Sequence, residues 1–279
     1  MSDNDTHYQT KIWLDEPESD NPFAARASYC AGYDVFGDLL GKISWSDYLF
    51  LMFRLERPTE KQSRLLHELT VVLSHPGLRD HSVLAAMNAG VGGSTAAASL
   101  MAALGVGAGQ LNGGHEVFLA MDIWQRCEMD IEAWHTEILN PPVSEVADIW
   151  DPLEHIAGFN PNSNVSNTTL IQALTHLASL SQNGPLQWLC DNRIELEKAT
   201  QCGLSFSSIA AAAFHELGFN SEQGEMLYLI LRLPGAGAQA LEQKQYGWRR
   251  FPFYNDGLTL LGNQPGTPVG DTNLETENG

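Results

Sequence analysis

Between Val83 and Leu111 the chain is mostly alanine and glycine, with Asn88 set inside the run. Alanine is the best helix former, and side chains this small let neighbouring helices approach closely. The stretch therefore predicts a tightly packed pair of core helices. It is no membrane span, which needs about 20 strongly apolar residues. Other segments carry the same helical period. Trp45–Phe53 has an apolar face behind a cap candidate at Ser44, and Pro58–Thr59 opens a helix with Leu65, Leu66, Leu69, Val72 and Leu73 on one side. Ser208–Leu217 is alanine-rich and stops at Gly218. Met226–Leu233 is expected to be interrupted or kinked at Pro234–Gly235. Alternating strand patterns are scarce, so the expected fold class is all-α. Asn160–Thr169 reads as a polar loop, and the tail from Gly262 as mobile.

The chain has 279 residues, with 15 Lys and Arg against 34 Asp and Glu and a formal charge of −19. Phosphate binding needs a basic face, so nucleic acid and anionic membrane surfaces are excluded as main partners. A hydrophobic share of 43% suits a globular protein with a sizeable core. The acidic start, up to Pro22, reads as carrying no targeting signal. Cys30, Cys127, Cys190 and Cys202 are far apart and form no CxxC pair, so neither disulfides nor a zinc site is expected. A cytoplasmic location and no metal follow as expectations. The glycines of Gly90–Ser94 lack the lysine of a P-loop and the spacing of a dinucleotide fingerprint, so helix packing explains them better.

Arg232 interrupts the apolar run Leu227–Leu233, where a charge needs a partner. That partner is either a carboxylate of the chain or one on a ligand. His115 with Glu116 beside it reads as an acid/base pair or as two packed helix residues. His155, just before Gly158–Phe159, either serves a site or packs at a hinge. His75 reads as a structural hydrogen-bonder.

Several segments, taken in order, resemble the citrate synthase family. Gly32–Tyr33–Asp34 is similar to its "RGYD" turn, and Ser74–Ser82 to its "DHGLNAST" segment. Gly109–Gly114 resembles "GPLHGG", and Ile156–Pro161 resembles "IPGFGH". Arg232–Gln243 is similar to the "ARTVGWIAHWxEQ" helix, and Arg250–Gly257 to "RPRxxYxG". The resemblance spans Tyr29 to Gly257 collinearly. It implies a two-domain helical fold, with a large domain from residues 1–136 and 225–279 and a small domain inserted at 137–224. It also implies a homodimer, with the helices from Ala85 to Gly109 at its interface.

The family makes or cleaves a carbon–carbon bond beside a coenzyme A thioester. That chemistry needs donors aimed at a developing oxyanion, a tuned base and fork-shaped cations for carboxylates. In the resemblance the "LHGG" histidine falls on Asn112, the "GFGH" histidine on Pro161 and the catalytic aspartate on Ser205. Arg232 and Arg250 fall on carboxylate-binding arginines. The candidate catalytic set is Asn112 from the resemblance, with His115 and His155 as non-standard replacements for the lost groups, and Arg232 and Arg250 binding carboxylate. No tightly bound cofactor is implied, with a coenzyme A thioester as candidate substrate and a di- or tricarboxylate as small-molecule partner. The activity implied is most like that of a citryl-CoA lyase. The alternatives are a decarboxylase or dehydratase of a citrate-like acid, or a non-catalytic homologue that binds a carboxylate or partner.

Overall fold

The computed structural model describes residues 10–141 and 155–250. Within them a small antiparallel sheet precedes ten α-helices. The all-α expectation is borne out, with one addition at the N-terminal end. Strand β1 (Trp13–Pro17) pairs with β2 (Ala25–Cys30), in register from Trp13 opposite Cys30, and β3 (Tyr33–Asp34) closes the sheet. Its strand signal is weak, because Ala25, Ala27 and Tyr29 alternate over only five residues of β2 and β1 does not alternate.

Helix α1 (Trp45–Arg54) starts where Ser44 accepts a hydrogen bond from the Asp47 amide at 3.1 Å. Helix α2 (Glu60–Leu73) starts in a capping box between Thr59 and Gln62. The Ala/Gly stretch forms the expected pair, α3 (His81–Val91) and α4 (Ala96–Gly107). After them come α5 (Gly114–Cys127), α6 (Ile131–Leu139), α7 (Thr168–Leu180), α8 (Pro185–Thr200), α9 (Phe206–Glu216) and α10 (Ser221–Tyr246). A two-residue ladder joins β4 (Phe159–Asn160) to β5 (Gly203–Leu204).

At Pro234 the expected interruption of the helix is corrected, because the proline lies inside α10, which runs on to Tyr246. Proline removes one N–H and so leaves the Ile230 carbonyl without its helical partner. The next carbonyl, that of Leu231, receives the Ser74 hydroxyl at 3.1 Å. Residues 160–167 are also more ordered than a free polar loop. Glu197, buried on α8, accepts from the Ser166 amide at 3.2 Å and hydroxyl at 2.6 Å and from Arg193 at 2.9 Å.

The main core joins α1, α2, α5, α7, α8, α9 and α10 through Phe50, Leu66, Met121, Leu174, Leu189, Phe214 and Leu227. Ala210–Ala213 are fully buried, so α9 runs through the centre. A second cluster of Val83, Ala86, Met87, Ala103, Ala236 and Ala240 packs α3 and α4 on the far half of α10. One long helix thus spans both cores. Tyr254 and Gly257, and the tail from Gly262, lie outside the described residues.

Candidate functional site

Where α3 and α5 begin, beside α10, the chain buries a group of charged and polar side chains. The sequence Asn112–Gly113–Gly114 makes the turn into α5. Asn112 adopts a left-handed φ of 53°, which asparagine tolerates better than most residues. At Gly113 a side chain would collide with the backbone of Gly109. The start of α5 has no side-chain cap at Gly113, leaving its first amides to other acceptors.

Glu116, in the first turn of α5, instead holds the residue before the cap and a distant turn. It is 0% exposed, and its Oε2 accepts from the Asn112 amide at 2.5 Å. Its Oε1 accepts from the Gly158 amide at 2.9 Å. Gly158 has φ of +93°, which strains any other residue, and a side chain there would also press on Ser208 at 3.3 Å. The Gly158 carbonyl accepts from the Ser205 amide at 3.0 Å, tying the same turn to the start of α9. His155, with its side chain 8% exposed, places Nε2 3.5 Å from Glu116 Oε1.

Arg232 reaches the same place from α10. Its Nη1 donates to the Asn112 carbonyl at 2.5 Å, and its Nη2 pairs with Asp80. The other Asp80 oxygen caps α3 through the amides of Ser82 and Val83. The guanidinium also lies 4.6 Å above the Tyr228 ring. Tyr228 donates its hydroxyl to the Asn112 carbonyl at 3.1 Å. Burial pushes that hydroxyl up to about 12, with Arg232 opposing and Glu116 and Asp80 adding to the rise. Tyr228 is therefore a neutral donor at neutral pH. A void of about 10 Å³, room for a single water, borders Arg232 and Ser82. On another side of α10 a groove of about 450 Å³ is lined by Trp45, Ser74, Leu100 and Pro234.

The structure thus brings together three of the residues singled out in the sequence: Asn112, His155 and Arg232. His115 lies at the start of α5, half-buried, with its ring 6.0 Å from that of Phe118. Successive helical side chains diverge by about 100°, so Glu116 faces His155 rather than His115. Arg250 is exposed in the short 3₁₀ turn Trp248–Arg250. Helix α10 carries Tyr246 about 21 Å beyond Arg232, so the two arginines do not converge in the described chain. Of the two open readings of Arg232, the structure contains the pairing with a carboxylate of the chain. Ser205, at the position of the family's aspartate, is buried beside the Gly158 turn with its Oγ 2.5 Å from that of Ser207. Pro161 is exposed.

Glu116 and Asp80 are the residues that sequence reasoning undervalued. Glu116 falls in line with Ala120, Ile123 and Cys127, the buried face of α5, and that period marks it as an inward carboxylate. Asp80 stands two residues before Ser82 at a helix start, a capping signature.

No family model matches the sequence, and no curated protein matches it. Solved structures do match its fold. Citryl-CoA lyase from Hydrogenobacter thermophilus superposes with a TM-score of 0.68 at 18% identity, covering 93% of this chain and 96% of that one. ATP citrate lyase from Methanothrix soehngenii, solved with citrate and coenzyme A, gives 0.69 at 15% identity. This chain spans 42% of its length. Citrate synthase from Thermoplasma acidophilum gives 0.52 at 13% identity, over 80% of this chain and 59% of that one.

Proposed function

We propose that this chain, which has the citrate synthase-like fold, cleaves or forms a carbon–carbon bond in a citrate-like acyl-CoA, as a citryl-CoA lyase does. The observation that carries the reading is the end-to-end match to a citryl-CoA lyase together with a buried acid–imidazole pair beside Asn112. Cleavage of citryl-CoA is a reverse aldol. A base takes the proton of the tertiary hydroxyl, the carbon–carbon bond breaks to give oxaloacetate, and the electron pair passes to the thioester as an enolate. The enolate is then protonated to acetyl-CoA. His155 is the group suited to move the proton. The Asn112 side-chain amide is suited to donate to the thioester oxygen, where it acts as a fixed dipole and not as an acid. His115 is a second candidate for proton transfer. Arg250 is a carboxylate ligand only if the chain beyond the described residues returns it to the site.

Arg232 favours a second reading. Its guanidinium already has a carboxylate, so a ligand carboxylate gains it only by sharing with or displacing Asp80. This supports a non-catalytic homologue that binds a partner, with the Asp80–Arg232 pair as part of its framework. A decarboxylase or dehydratase acting on a citrate-like acid would use the same groups without enolisation. Assay of the purified protein separates the readings. Citryl-CoA consumption with release of oxaloacetate, reduced about 100-fold or more by His155→Ala or His115→Ala, supports the lyase. No turnover of citryl-CoA, or of acetyl-CoA with oxaloacetate, overturns it. Turnover left intact in both variants removes both histidines from the site.

A homodimer belongs to the same proposal. Met101 and Val106 on α4 are exposed apolar side chains on the small-residue pair.

A further inference from the structure

Among the described residues, Glu116 is a wholly buried carboxylate to which the proposed reaction assigns no step. It joins two segments far apart in sequence. One oxygen holds the amide of Asn112 and the other the amide of Gly158, 42 residues beyond Glu116. The oxygen that holds Gly158 also faces His155 Nε2, a buried ring nitrogen without a hydrogen bond of good geometry. At 3.5 Å the pair sits just beyond hydrogen-bond length.

We infer that Glu116 is a positioning residue: it clamps the Asn112 and Gly158 turns together and fixes which nitrogen of His155 carries the proton. The argument is one of complementarity. A carboxylate can only accept, and a ring nitrogen facing it without a hydrogen is repelled, so Nε2 bears the proton. Among the described residues, the other charged or titratable groups facing the cluster are Asp80, Arg232 and Tyr228. Arg232 and Asp80 neutralise each other, and Tyr228 is neutral. The other ring nitrogen is then the one left to exchange a proton with a ligand. Pre-orientation of this kind is what a proton-transfer histidine requires.

The inference concerns the site proposed above but is tested without turnover. The full chain, labelled with ¹⁵N-histidine, is examined near pH 7, with His155→Gln assigning the signal. The expected result is a His155 Nε2–H correlation that is lost in Glu116→Ala. Hydrogen exchange should also quicken by about tenfold at the Asn112 and Gly158 amides together. Glu116→Gln keeps one acceptor and should restore protection to one of the two amides. An unprotonated Nε2 in the wild-type protein overturns the inference, and so does a signal unchanged in Glu116→Ala. The wild-type measurement stands even if Glu116→Ala does not fold. A positive result with no citryl-CoA turnover would leave the positioning role in place while the lyase reading fails.

Discussion

Arg232 shows how far one residue can be read from its neighbours. Its place in an apolar run signals a buried charge with a partner, but sequence does not say which carboxylate supplies it. Asp80 lies 152 positions away and becomes visible only when α3 and α10 cross. Breaking a buried pair strands the surviving charge, so Arg232→Met should lower stability by about 3–5 kcal/mol in urea unfolding. Adding Asp80→Asn should recover part of the loss, with a coupling of about 1–3 kcal/mol. Strictly additive losses would show that the two charges do not support each other.

Tyr228 makes a prediction about pH. Its pKa is raised to about 12 from the ordinary 10, so between these values the unfolded chain has released a proton that the folded chain retains. Stability due to this group is therefore full below about pH 10 and falls as pH rises towards 12, by roughly 3 kcal/mol. Tyr228→Phe should lose about 1 kcal/mol at neutral pH through its missing hydrogen bond and should lack that alkaline decline. A variant declining as steeply as the wild type would contradict the assignment.

Most helices are legible in the sequence because their signals are local. Ser44, Thr59 and the alanine-rich stretches carry their own caps and period. The β1–β2 hairpin is not, since β1 has no buried residue and β2 buries only Cys30. The passage of α10 through Pro234 was hidden for a related reason, because packing of the flanking turns outweighs one missing hydrogen bond. Pro234 is exposed, so Pro234→Ala should return the N–H and raise stability by about 1–3 kcal/mol. Helix α3 meets α10 at Gly90, where a methyl group would collide with the Ala240 carbonyl. Gly90→Ala should cost about 1–3 kcal/mol, lowering Tm by roughly 2–4 °C for each. Equal stabilities of the two variants and the wild type would contradict this account of α10.

At the scale of the molecule, the candidate site is a meeting of helix starts and turns. Its residues come from the ends of α3 and α5, the turn before β4 and the middle of α10. Family resemblance located Asn112, and the apolar run marked Arg232. Glu116 was read only beside His115, so its link to the Gly158 turn, like Asp80, emerged from burial. The charge of −19 repels itself, so raising salt from about 50 mM to about 500 mM should raise Tm. Light scattering at low micromolar concentration should give twice the 30.6 kDa chain mass. A monomeric mass would remove the dimer from the proposal. The central claim is that a citrate-like acyl-CoA is handled between the Asn112 and Gly158 turns. It is tested most directly by a crystal structure of the protein with citrate and coenzyme A. The account predicts ligand density within hydrogen-bond distance of His155 and the Asn112 side chain. Density elsewhere, or the Asp80–Arg232–Glu116–His155 cluster closed and empty at saturating ligand, would contradict it.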